Sequence, residues 1–225
     1  MEVHNHNNNF NLKDIILGGQ DGLVNVLGVI LGVAAATYEI KIIIVAGLAA
    51  TFAESISMAA VAYTSTKASL SYYLAEEERE KREIKEDPRL EKKEIYDIYY
   101  KKGFRGKLLN DIVKKIISNK KLWLETMMTE ELKLYNDNNP KRSSFIVGLS
   151  AFIGSLIPLL PFFFFDVKLG VIISLIFSSL ALFITGFVKA KVTVGSEIKS
   201  GLEILFIGML SALAGYLIGY FVGKI

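Results

Sequence analysis

The chain has 225 residues, 52% of them hydrophobic, with a mean hydropathy of +0.38 and a formal charge of +3. This composition is too apolar for an ordinary soluble domain. The absence of cysteine excludes disulfides and thiolate metal sites.

The first ten residues, MEVHNHNNNF, lack the charged start, short apolar core and cleavage site of a signal peptide. Their Asn-rich composition predicts disorder. Five apolar segments then approach or exceed the length needed to cross about 30 Å of hydrocarbon: residues 15–36, 40–63, 145–165, 169–188 and 202–222. The first contains Asp21, in GGQDGLVNVLG, with Asn25 one turn on. The second contains Glu54 and Met58, in TFAESISMAA, four apart and so on one helix face. An ionisable group in a span is costly and usually faces a pathway or a partner. The plainer alternative is a carboxylate hydrogen-bonded for structure alone.

From Leu48 to Asp87 there is no Gly or Pro, which predicts that the second span continues as one helix about 60 Å long, well past the membrane. Asp87-Pro88 supplies an N-cap followed by proline at the first helical position. The helix it starts should end at Lys101-Lys102-Gly103, with cations in its last turn and glycine beyond. A third, amphipathic piece covers about 107–117. A fourth begins near Asn119, carries WLETMMTEELKLY and stops at NDNNP. Residues 66–142 hold 19 of the 26 Lys and Arg and 15 of the 23 Asp and Glu, so this stretch reads as a polar helical insert. The expected organisation is a tail with spans one and two (1–65), the insert (66–142) and spans three to five (143–225).

Basic residues favour the cytoplasmic side. With the insert inside, Lys189, Lys191 and Lys199 fall inside too, leaving Lys41, Lys168 and Lys224 outside. The N-terminus is then cytoplasmic and the C-terminus external. Pro158 and Pro161 should bend span three. Gly28 and Gly32, and Gly215, Gly219 and Gly223, have the spacing of close helix contacts and suggest a dimer. Glu203, near the start of span five, reads as interfacial.

Within the insert, Glu80 and Glu83 share a helix face, and Glu91 and Glu94 repeat the arrangement across the Asp87-Pro88 turn. Met127, Met128 and Glu131 place thioethers and a carboxylate on one face of the last helix. Solvated helices with i,i+4 ion pairs, and core packing of the methionines, are the plain explanation. The sharper one is ligation: facing carboxylates repel unless a cation sits between them. Oxygen donors with some softer thioether suit Fe²⁺ or Mn²⁺ better than structural zinc.

Taken together, DIILGGQDGLVNVLGVILG, SISMAAVAY, EREKREIKEDPRLEKKEIYDIYYKKG, WLETMMTEEL and GSLIPLLPF resemble the vacuolar iron transporter family, whose members exchange divalent iron or manganese for protons. The stretches occur in the family's order and cover nearly the whole chain from about Leu12. The resemblance implies an all-α, multi-pass membrane protein with five transmembrane helices, a homodimer, and a cytoplasmic helical metal-binding domain inserted between helices two and three. It assigns Glu80, Glu83, Glu91, Glu94, Met127, Met128 and Glu131 to metal in that domain, and Asp21 and Met58 to the membrane pathway. In one departure, many members carry an acid about two turns before the methionine, where this chain has Ala50; here the acid is Glu54, one turn before Met58.

The expected function is export of Fe²⁺ from the cytosol in exchange for protons, with Mn²⁺, Co²⁺ and Zn²⁺ as alternative substrates and no organic cofactor or nucleic acid involved. Metal ligands must be deprotonated, so metal binding expels protons and proton binding expels metal. The membrane would be the cell membrane in a prokaryote and the vacuolar membrane in a eukaryote. A metal-binding membrane scaffold or sensor without transport is the alternative, as is a transporter whose glutamate helices serve only to solvate and dimerise. A di-iron enzyme would want Glu-x-x-His pairs, and the two histidines, His4 and His6, sit in the Asn-rich start.

Overall fold

The computed structural model describes residues 7–135 and 139–224, with side chains from Leu12 onward. His4, His6 and the first three residues of the NDNNP stop, 136–138, lie outside the described residues. The helix α1 spans Asn7–Thr37, so the expected disorder of the Asn-rich start does not extend to Asn7–Asn9. A helix of this length propagates through weak formers once apolar packing holds its centre.

The described residues are helical, without strands. After α1 come α2 (Ile40–Glu86), α3 (Pro88–Lys101), α4 (Gly106–Ile117) and α5 (Lys120–Thr126), which runs into a π-helical turn at Met127–Glu131. Then follow α6 (Pro140–Leu159), which tightens into a 3₁₀ turn at Leu160–Phe163, α7 (Val167–Val192) and α8 (Glu197–Val222). Five of these stretches are long and apolar enough to cross a membrane: Leu12–Thr37, Ile40–Glu86, Pro140–Phe163, Val167–Val192 and Glu197–Val222. Each coincides with a predicted span. The second is one unbroken helix of 47 residues, in keeping with its lack of Gly and Pro after Leu48.

The chain divides into two compact units, one formed by residues up to Thr64 and from Pro140 onward, the other by Ser65–Asn139. In the first, α1 is the hub. Val26, Ile30 and Ala34 pack with Ile43, Leu159 and Phe162, while Leu23 meets Leu182 and Ile204, and Leu27 and Leu31 meet Ala212. Glycines permit this crowding. A Cβ on Gly22 would overlap the Ala151 carbonyl of α6, and one on Gly219 would overlap the Gly32 carbonyl. The small-residue stripes on α1 and α8 therefore pack on each other within a single chain, so their spacing carries no information about a dimer. Pro158 sits inside α6 rather than ending it. The Ser174 hydroxyl of α7 donates to the Pro158 carbonyl at 2.7 Å, a local satisfaction that apolar surroundings demand.

In the second unit, Asp87 caps α3 by accepting from the Leu90 amide at 3.3 Å. Gly103 takes φ +100 just past its end, a left-handed conformation that glycine adopts without steric cost. Asn119 caps α5 by accepting from the Lys121 amide at 3.0 Å. The core is Ile95, Leu109, Val113, Ile116, Trp123 and Met127, with Ile84 packed against it.

Candidate metal sites

In the membrane unit two acids from different helices meet. Asp21 of α1 and Glu54 of α2 are each half-buried, and their carboxyls lie within hydrogen-bonding reach of one another. Asn25, one turn along α1, joins them: its Nδ2 donates to Asp21 Oδ2 at 3.3 Å, and it also reaches the Glu54 carboxyl. Two carboxyls this close in an apolar setting need a proton or a cation between them, because two bare charges repel there. Met58 stands one turn along α2 from Glu54, half-buried. Ala50, two turns before Met58, packs against the cluster around Ile30 and Ile43. Asp21 also lines a cavity of about 740 Å³ with mainly apolar walls, to which Lys13, Gln20 and Lys189 add polar groups.

In the second unit, α3 folds back along the end of α2 across the Asp87-Pro88 turn. Glu80, Glu83, Glu91, Glu94 and Glu131 thereby come within electrostatic reach of one another. Glu80 and Glu91 are almost fully buried, at 2% and 3% exposure. The Oε2 atom of each has no hydrogen-bond partner, an exception among buried polar atoms. Burial, together with the charges of Glu131, Glu83 and Glu94, pushes Glu80 up to about 7. Burial and the charges of Glu94, Glu80, Glu131 and Glu83 push Glu91 to about 7 as well. Desolvation and neighbouring carboxylates also raise Glu94 and Glu131; Glu131 itself stands at the exposed rim. Among the described residues, no three acidic or histidine side chains are already closed into a cage around a metal position. The five carboxylates are gathered but not yet convergent.

Among the described residues, Arg79 is the cation woven into this group. It lies 2.9 Å from Glu76, 3.7 Å from Glu80 and 3.6 Å from Glu83. Sequence reasoning passed over it, although its spacing of one and four residues from Glu80 and Glu83 was visible. The two methionines part company. Met127 belongs to the apolar core beside Ile95 and Trp123, whereas Met128 is equally buried, at 1% exposure, but stands outside that cluster. Both lie in the π-helical turn, in which the Leu132 amide donates to the Met127 carbonyl at 3.2 Å. Such turns break the i,i+4 register and recur at functional sites; the sequence carried no signal of this one.

The VIT family model matches residues 12–220. Curated relatives include vacuolar iron transporter 1 of Tulipa gesneriana, 32% identical over 91% of this chain and 84% of the relative. The vacuolar iron transporter of Plasmodium falciparum is 32% identical over 97% of this chain and 86% of its own length. Vacuolar iron transporter 1 of Arabidopsis thaliana is 31% identical over 91% and 83%. These relatives are transporters, not enzymes. Together with the five apolar helices, the match makes this chain a multi-pass membrane protein, and it belongs to the VIT family.

Proposed function

We propose that this protein transports Fe²⁺ out of the cytosol in exchange for protons, with Mn²⁺ as a second substrate. The observation that carries the reading is the Asp21–Glu54 pair, two carboxyls held together by apolar helices with Asn25 beside them. Such a pair takes up either protons or a divalent cation, and each displaces the other. Met58 supplies a softer donor one turn away, which suits Fe²⁺.

The residues from Ser65 to Asn139 form a cytoplasmic metal-binding domain that gathers the ion. Glu80, Glu83, Glu91, Glu94 and Glu131 are its oxygen donors, and Met128, buried outside the apolar core that holds Met127, is its thioether. Metal binding draws in carboxylates that otherwise stand apart, and it fills the unused acceptor capacity of Glu80 and Glu91. The protein works as a homodimer with its N-terminus in the cytosol. The vacuolar iron transporters among its relatives support metal transport as the activity.

The test is uptake of Fe²⁺ and Mn²⁺ by proteoliposomes under an imposed pH gradient, with internal pH followed in parallel. Metal influx matched by proton efflux is the expected result. Metal bound to the protein without gradient-dependent uptake would sink transport in favour of a scaffold or sensor.

A further inference from the structure

The charges of the second unit are segregated. Residues 76–97 carry ten acids against seven Lys and Arg, whereas residues 101–121 carry eight Lys and Arg against the single acid Asp111. The structure presents this basic segment to solvent. Leu109, Val113 and Ile116 turn into the core, so Lys107, Lys114 and Lys115 line the opposite face of α4 and are exposed. Lys120 and Lys121 follow at the start of α5. Among the described residues, none of these five makes an ion pair, whereas Lys102 pairs with Glu130.

Apolar and aromatic groups are interleaved with the cations. Leu108 is 59% exposed. Tyr96 and Tyr100 are exposed and stacked, and the Arg105 guanidinium lies 3.6 Å from the centre of the Tyr100 ring. Lysines, tyrosines and an outward leucine together are the composition of an interfacial surface. The return of α3 along α2 sets the location of Tyr100. Glu80 and Ile84 of α2 face Glu94 and Ile95 of α3 across the Asp87-Pro88 turn. The end of α3 thus lies away from that turn, toward the end at which α2 enters the unit, and α4 packs back against Ile95 through Leu109, Val113 and Ile116.

We infer that the exposed basic face of 101–121 docks on an anionic lipid surface, with Lys107, Lys114, Lys115 and Lys121 on headgroup phosphates and Leu108 and Tyr100 at the acyl boundary. Clustered Lys and Arg are attracted to anionic lipid. The partner is lipid rather than the acidic face of a second copy, because a bilayer supplies a continuous apolar layer for Leu108 and Tyr100, whereas among the described residues the acidic stretch 76–97 exposes just Leu90 and Tyr96 as large apolar groups.

The chain's lack of cysteine allows a clean test on the full-length protein. A solvatochromic fluorophore is placed at Leu108→Cys, or at Leu90→Cys beside the Asp87-Pro88 turn as a control. Each variant is reconstituted in phosphatidylcholine vesicles and in equimolar phosphatidylcholine and phosphatidylserine. The expected result is a blue shift at position 108 alone, in the anionic vesicles alone. It should be reversed at about 1 M salt, where the Debye length is about 3 Å, and largely lost when Lys107, Lys114, Lys115 and Lys121 are changed to Gln with helix content intact. An emission that ignores lipid charge overturns the proposal. A shift that follows protein density in neutral vesicles also overturns it and identifies a second copy instead.

Discussion

Asp21 and Glu54, on α1 and α2, present their carboxyls to one another in the membrane unit, with the Asn25 amide on both. Either acid alone could be a structural hydrogen-bonding group. Together they form a unit whose charge must be balanced by a proton or a cation. Asp21→Asn preserves size and hydrogen bonding but removes the charge. We expect it to insert normally, to keep metal binding in the second unit and to lose metal-proton exchange. Full exchange by this variant in proteoliposomes would remove Asp21 from the pathway; loss of exchange together with loss of insertion would make its role structural.

Replacing Glu80, Glu83, Glu91 and Glu94 together with Gln should abolish most metal binding by the second unit. Helix content, read by circular dichroism, should hold, since Gln and Glu have similar helix propensities. Isothermal titration of the purified protein with Mn²⁺ is the measurement. Unchanged stoichiometry would refute the ligand assignment.

Met127 and Met128 should respond differently. Met127 fills the apolar core, so Met127→Leu, a nearly volume-conserving change, should cost less than about 1.5 kcal/mol. Met128 lies outside that cluster, so Met128→Leu should weaken Fe²⁺ more than Mn²⁺, because the thioether favours the softer ion. Equal losses for the two metals would remove the thioether from the site.

Glu80 and Glu91 are both pushed from an ordinary 4.5 to about 7. The folded unit then keeps protons that the unfolded chain releases, so stability is full below about 4.5 and declines as pH rises through 7. Without metal, hydrogen exchange across α3 should therefore be slower at pH 5 than at pH 8, by on the order of 1–3 kcal/mol in opening free energy. Glu80→Gln should flatten that dependence. Metal affinity should run the other way, strengthening as pH rises, since protons compete for the same oxygens.

The α1–α8 contact offers a graded test of packing. At Gly219 an added Cβ would overlap the Gly32 carbonyl, whereas at Gly28 it would meet nothing nearer than the Ser211 carbonyl at 3.7 Å. Gly219→Ala should therefore destabilise the protein by about 1–3 kcal/mol, and Gly28→Ala should be close to neutral. Thermal unfolding in detergent compares the two, and equal midpoints would contradict the close approach.

The number and order of the spans, the unbroken second helix, the Asp87 cap, the helix start near Asn119 and the i,i+3 glutamate pairs were all legible in the sequence, because each depends on apolar length or on neighbours within one helical turn. What depended on distant residues was not. Glu54 gains its meaning from Asp21 on another helix, and the two glutamate pairs become one group only because α3 folds back on α2. The glycine stripes, identical in sequence whether they join two helices of one chain or two chains, pack α1 on α8 here. The π-helical turn at Met127–Glu131 assigns Met127 to the core and leaves Met128 outside the apolar cluster, although the two are adjacent in sequence. Local periodicity fixes which residues share a face; only the packing of helices against one another decides what that face meets.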